Sequence, residues 1–124
     1  MPRTSIPAVF REQVDKLRSR PMVYSKQDRH WRPLTWAQMG ERVGHAAAGL
    51  CALGIEAGDR LGLLAHSTTE WVLCDLASAT IGGVDVPISE TTPAETVAFI
   101  LRDSGCRLVF VGDRQLLDTV LAIR

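Results

Sequence analysis

Histidines, cysteines and a few hydroxyl and acidic residues at the ends of apolar runs are the side chains here with the chemistry to act on a ligand. His30, His45 and His66 never pair with one another or with a cysteine at ligand spacing, so no metal centre is indicated. Cys51, Cys74 and Cys106 are odd in number and lack CxxC spacing. Each sits in an apolar run, which predicts buried, reduced thiols rather than a disulfide framework. No nucleophile stands beside a matching base. The dinucleotide fingerprint GxGxxG and the phosphate loop GxxxxGK[ST] are both absent. Asp85 lies inside an apolar run and Asp113 stands alone, which argues against a phosphoacceptor cluster. Three short polar segments remain: His66-Ser67-Thr68, Ser89-Glu90-Thr91-Thr92 and Gly112-Asp113. Each leads into a helical pattern, where free amides and the helix dipole favour an anion. Ser67 and Thr92 read first as plain caps of their helices, and Trp36 and Trp71 as core anchors.

The elements that must carry these segments follow from periodicity. Ile6, Phe10, Val14 and Leu17 recur at helical spacing after a capping Ser5. Met22–Ser25 and Arg32–Leu34 read as a short hairpin around a polar run. Thr35 to Gln38 is a capping box, and Trp36, Met39, Val43, Ala46, Ala47, Leu50 and Leu53 form one helical face behind it, ended by Gly54. Arg60–Ala65, Val84–Ile88 and Arg107–Val111 are unalternating apolar runs, the pattern of buried strands. Between them, Ser67 to Glu70 and Thr92 to Glu95 read as further capping boxes, the latter with Pro93 at the first helical position. Asp113 is placed to cap a last helix that runs into Arg124 without glycine or proline, so the chain reads as cut within a helix. Strand and helix alternating at this spacing predict an α/β fold: a parallel sheet with helices on both faces, built over residues 35–124 and preceded by a helix and hairpin over 1–34.

Composition sets the outer bounds. Hydrophobic residues are 46% and charged residues 23% of the 124-residue chain, an ordinary globular mixture. The 14 basic and 14 acidic residues cancel. The arginines are scattered along the sequence, so net charge gives no pull toward nucleic acid or an anionic membrane. The N-terminus is too polar for a signal peptide, and no apolar run approaches the roughly 20 residues of a membrane span. A cytoplasmic chain is expected.

The order of segments resembles the N-terminal region of adenylate-forming acyl-CoA synthetases. The resemblance rests on Leu34–Trp36, Ala47–Arg60, Glu70-Trp71, Gly82–Ile88 and Thr92–Ser104, and covers the chain from about Ile6 onward. The extended VPISETTPAE is most similar to the fatty-acyl branch. What it implies is a two-step reaction: a carboxylic acid attacks the α-phosphate of ATP to give an acyl-adenylate and pyrophosphate, and the CoA thiol then displaces AMP. ATP, CoA and Mg²⁺ would serve the full-length enzyme. The family's phosphate loop, adenine and ribose contacts and lid lysine are expected downstream of residue 124, so no catalytic residue is assigned here and the isolated chain is expected to be inactive. The resemblance places Ser89, Glu90 and Thr91 near CoA. Two positions depart from the family pattern: His66 stands where asparagine is frequent, and Ser89 where tyrosine is.

The expected partners are the remainder of a synthetase chain and a small carboxylic acid, with no nucleic acid. Surface normally covered would favour self-association of the isolated chain. Two other readings fit the residues: a stand-alone truncated paralogue acting as an interaction module, and a small flavodoxin-like nucleotide-binding domain.

Overall fold

The computed structural model describes residues 4–123. Ser5 caps α1 (Ile6–Leu17), its hydroxyl accepting from the Ala8 N–H at 3.3 Å. β1 (Pro21–Gln27) and β2 (His30–Thr35) form an antiparallel hairpin joined by Asp28 and Arg29 alone. Thr35 then opens α2 (Trp36–Ala52) with a complete capping box: Thr35 Oγ1 accepts from the Gln38 N–H at 3.1 Å, and Gln38 Oε1 from the Thr35 N–H at 2.9 Å.

Three parallel strands follow, β3 (Arg60–Leu64), β4 (Val84–Ile88) and β5 (Leu108–Val111), in the order β4-β3-β5. Their crossovers are α3 (Thr69–Thr80) and α4 (Ala94–Ser104), and α5 (Arg114–Leu121) comes last. Alternation along β3 divides the core. Leu61 packs with Leu50, Ile55 and Ala77 on the α2/α3 side, while Leu64 packs with Ile88 and Val97 on the α4/α5 side. The predicted α/β fold with helices on both faces is the observed one. A third cluster, Phe10, Leu34, Met39, Val43 and Leu76, fastens α1 and the hairpin to α2 and α3. There Phe10 and Trp36 meet at 6.1 Å between ring centroids, within the range of a favourable aromatic pair.

Several expectations are corrected. Only β3 is covered on both faces: Leu61, Leu63 and Leu64 are at most 1% exposed, whereas β4 and β5 lie at the sheet edges and are only partly buried. The helix after β3 is capped by Thr68, not Ser67, because Thr68 Oγ1 faces the Trp71 N–H at 3.3 Å. The Thr92 box does not form. Pro93 takes the cap position without a side-chain bond, and α4 starts at Ala94. The last helix ends at Leu121 with Ala122 as its cap, and Arg124 lies outside the described residues. Cys51 is exposed rather than buried, since Leu50 takes the core position and its neighbour turns outward. Leu53, at the helix end, is likewise exposed.

Candidate functional site

Parallel strands bring their following loops to one edge of the sheet, where open α/β folds bind ligands. Here that edge gathers Ala65–Thr68 after β3, Ser89–Thr92 after β4 and Gly112-Asp113 after β5. Gly112 lets the β3 and β5 loops close together: a side-chain carbon there would lie 2.7 Å from Ala65 Cβ and 3.0 Å from Ala65 Cα. The Gly112 N–H donates to the Leu64 carbonyl at 3.0 Å, extending the ladder one step past the strands.

His66, at the centre, spans the edge. Its Nδ1 lies 3.3 Å from Glu90 Oε1, on the β4 loop. Its Nε2 lies 3.3 Å from Asp113 Oδ2, on the β5 loop. Asp113 also caps α5, Oδ1 accepting from the Leu116 N–H at 2.8 Å. In the β4 loop the Ser89 and Thr91 hydroxyls are 2.9 Å apart, and the Thr91 N–H faces Ser89 Oγ at 3.3 Å. The three predicted polar segments therefore meet, and Ser89, Glu90 and Thr91 all lie at this edge. Sequence spacing gave no hint that His66 would join Glu90 to Asp113, because 24 and 47 residues separate these positions from it. Only the parallel register brings them together.

Two clefts flank His66. One, of about 300 Å³, lies on the α3 side and is lined by Leu63, Glu70, Trp71, Cys74 and Phe110 among others. The other, of about 260 Å³, lies on the α4/α5 side between Glu90, Thr92, Asp113, Gln115 and Thr119. Neither is lined by lysine or arginine. Trp71, expected as a core anchor, belongs to none of the core clusters among the described residues and instead walls this cleft.

This chemistry is narrow. The two carboxylates stand on opposite nitrogens of the imidazole, so they do not converge on one point where an ion could sit. Among the described residues no group of three His, Cys, Asp or Glu could hold a metal. Burial pushes the Cys74 thiol above its ordinary range, and the charges of Asp85 and Glu70 push the same way. A thiol so placed is a poor nucleophile. The edge joins three loops and offers hydroxyls, an imidazole and carboxylates to a ligand.

The other end of the sheet is held by residues whose part was not foreseen. Asp59 Oδ2 accepts from the Glu56 N–H at 2.7 Å and from Arg107 Nη1 at 2.8 Å. The Glu56 amide, with the Arg107 guanidinium beside it, keeps this carboxyl below its usual value, although burial opposes them. Arg60 Nε donates to the Ser104 carbonyl at 2.6 Å. Its guanidinium lies where a side chain on Gly105 would be, and that glycine ends α4 at φ +66°. A second acidic pair lies between α3 and β4. Burial raises Asp85 to about 7, helped by the hydrogen bond and charge of Asp75, while the Val86 N–H pulls the other way. Asp85 Oδ1 is buried with no hydrogen-bond partner among the described residues.

Known proteins share both the segments and their arrangement. The chain is 29% identical over 119 residues to the rat long-chain-fatty-acid–CoA ligase ACSBG2, a match covering 96% of this chain and 18% of that protein. It is 39% identical over 80 residues to FadD15, a long-chain-fatty-acid–CoA ligase of Mycobacterium bovis, covering 64% and 13%. The chain thus spans under a fifth of the length of these relatives. The N-terminal domain of FACL13 from Mycobacterium tuberculosis superposes with a TM-score of 0.87 at 30% identity, over 97% of this chain and 31% of that one. The N-terminal subdomain of Klebsiella oxytoca NpsA, solved with 3-hydroxybenzoyl-AMSN, shares the fold with a TM-score of 0.82 at 20% identity, over 98% and 32%. A family model of AMP-binding enzymes matches residues 10–123, nearly the whole sequence. The chain belongs to the AMP-binding enzyme family.

Proposed function

We propose that this chain is the N-terminal portion of an ATP-dependent acid–CoA ligase that activates a fatty acid as its adenylate and passes it to CoA. The carrying observation is the family match over residues 10–123, together with long-chain-fatty-acid–CoA ligases among the relatives. ATP would supply the activated phosphoryl centre and Mg²⁺ the charge neutralisation. The residues of the carboxyl edge do not fit either group. They present Glu70, Glu90 and Asp113 and no lysine or arginine, which repels phosphates, and no trio converges on a metal. No step is therefore routed through these groups here.

The role left to this chain is shaping and positioning. Ser89 and Thr91 offer hydroxyls on the β4 loop, and the His66 imidazole stands beside Glu90. The reading puts Ser89, Glu90 and Thr91 alongside CoA, with the two flanking clefts open to the rest of the ligand. It also carries a cytoplasmic location. Among the described residues no helix is long and apolar enough to cross a membrane.

The test is a thioester assay on the longest natural protein that contains this sequence, supplied with ATP, Mg²⁺, CoA and a series of straight-chain carboxylic acids. Acyl-CoA formation with AMP release is expected, and the 124-residue chain alone should form none. A full-length protein that makes neither acyl-adenylate nor thioester from any of these acids refutes the reading. In an active protein, Ser89→Ala with Thr91→Ala should raise KM for CoA several-fold and leave KM for the acid unchanged.

A further inference from the structure

The β1–β2 hairpin leaves one strand edge open. Asp28 and Arg29 turn it with φ of +50° and +67°, a two-residue connection of the I′ type. Such a turn is closed by a hydrogen-bonded pair, here Gln27 and His30. Alternation then makes Ser25–Arg32 a bonded pair, and Lys26–Trp31 and Tyr24–Pro33 non-bonded ones. Main-chain groups of a non-bonded pair point away from the partner strand. On β2 that outward position holds Pro33, which has no N–H to offer, so this edge is blocked. On β1 it holds Tyr24 and Lys26, and among the described residues no hydrogen bond reaches the main chain of either.

The open edge faces a cleft. About 540 Å³ in volume, it is lined on one side by every residue from Val23 to Gln27 and on the other by Ser67–Glu70 at the start of α3. Successive strand residues point to opposite faces, so a cleft that touches all five runs along the edge of the strand. A strand residue fills roughly 160 Å³, taken from its rise, the spacing between strands and the distance between packed sheets. The cleft therefore has room for about three. Three residues are also what the two outward positions, Tyr24 and Lys26, can pair.

The lining defines what those residues should be. A residue opposite Lys26 or Tyr24 lies on the outer face that both share with Trp31. Lys26 is the one cation lining the cleft among the described residues, and Glu70, across from the strand, is the one acid. A single carboxylate beside Lys26 is favoured, and a run of acids is not. A residue opposite Ser25 turns inward, toward Val23 and Val72 where they pack on the core, which favours a small side chain.

We propose that the free edge of β1 is a docking site for an extended segment of a partner protein. The segment adds as a third, antiparallel strand, with a carboxylate beside Lys26 and a small residue opposite Ser25. Main-chain bonds to Tyr24 and Lys26 hold it, and the cleft walls select its side chains. The site stands apart from acid activation, so either reading can fail without the other.

The experiment is fluorescence polarisation of a labelled pentapeptide, Thr-Glu-Ala-Ile-Thr, with the longest natural protein that contains this sequence. Its glutamate, alanine and isoleucine would face Lys26, Ser25 and Tyr24. Saturable binding is expected, with Kd on the order of 0.1 mM. Copies N-methylated at the glutamate or the isoleucine lose a bond to β1 and should bind about tenfold more weakly. N-methylation at the alanine, whose N–H points away from β1, should leave Kd unchanged. Tyr24→Pro removes an outward N–H, as Pro33 does on β2, and should abolish binding with little change in thermal midpoint. The peptide series decides should that variant fail to fold. Lys26→Gln should weaken binding about two- to fivefold. The proposal is overturned if the wild-type protein does not bind, if the three N-methylated peptides bind alike, or if folded Tyr24→Pro binds as well as wild type. It is equally overturned if sedimentation shows the peptide splitting a dimer, which would make the occupant a second copy of this chain.

Discussion

Replacing Asp85 by asparagine should make the protein more stable at neutral and alkaline pH and leave it nearly unchanged in mild acid. Asp85 sits between β4 and α3, its carboxyl raised from the ordinary 3.8 to about 7 by burial and by Asp75. The folded state therefore holds a proton that the unfolded chain releases near pH 4. Stability from this group is complete below that point and is lost as pH rises toward 7. Converted at about 1.36 kcal/mol per pKa unit, the span sets an upper bound of about 4 kcal/mol. The carboxyl keeps part of its surface in solvent, so the realised change should be nearer 1–2 kcal/mol. Asparagine keeps the shape, lets its oxygen accept from the Val86 N–H, and lets its amide donate to Asp75.

The assay is urea unfolding of wild type and Asp85→Asn between pH 5 and 8.5, read as a difference at each pH. Subtraction removes every contribution that the two proteins share. The variant should gain on wild type as pH rises toward 7 and level off at about 1–2 kcal/mol above it. A difference that is flat across this range, or an asparagine variant less stable at pH 8.5, would refute the argument that burial and Asp75 raise the Asp85 carboxyl.

Further substitutions test the remaining geometry. Gly112→Ala should cost about 1–3 kcal/mol by pressing on Ala65, and Ala65→Gly in the same chain should recover most of it in denaturant melts. Thr68→Ala should cost about 1 kcal/mol and Ser67→Ala almost nothing, which reads the cap of α3 directly. The Asp59–Arg107 pair is half-exposed on the arginine side, so a double-mutant cycle of the two alanine changes should return a small favourable coupling that shrinks in high salt. The isolated chain, with β4 and β5 each paired on one side only, should self-associate in sedimentation velocity, more at high concentration. A monomer across that range would show the edges to be protected.

What was legible in the sequence was whatever is set by local rules. Thr35 with Gln38 and Asp113 with Leu116 formed the caps their spacing implied. Val84–Ile88 is a strand to the residue. The misses come from choices that local rules leave open. Ser67 and Thr68 are adjacent hydroxyls, and only the path of the chain leaving β3 decides which oxygen meets the Trp71 amide. Lys26, Gln27, His30 and Trp31 read as loop because they are polar or bulky without alternation. An exposed ribbon tolerates such residues, and its two-residue turn carries no glycine to betray it. Burial of β4 and β5 was overestimated because an apolar run reports what a strand can bury, not whether it stands at an edge.

The family motifs explain why recognition outran chemistry. Trp36 of the first motif packs on Phe10. Asp59 and Arg60 of the second bind Arg107 and the Ser104 carbonyl, closing the sheet's amino end. Ile88 of the fourth is buried against Val97, and Ser104 of the fifth returns its hydroxyl to the Ile100 carbonyl at 2.6 Å. Each of these residues is needed to build the fold, so together they identify the fold and hence the family. The two departures noted from that pattern, His66 and Ser89, both lie on the carboxyl edge, where loops face the clefts rather than the core. A chain free to vary there while its amino end is fixed by charge pairing and close packing can hold one architecture and change what it accepts. His66→Asn, which restores the frequent residue, therefore tests whether the tie to Glu90 and Asp113 is structural: it should alter unfolding midpoints by less than about 1 kcal/mol, since both contacts are solvent-exposed. A larger loss would move His66 from the ligand-facing surface into the framework of the fold.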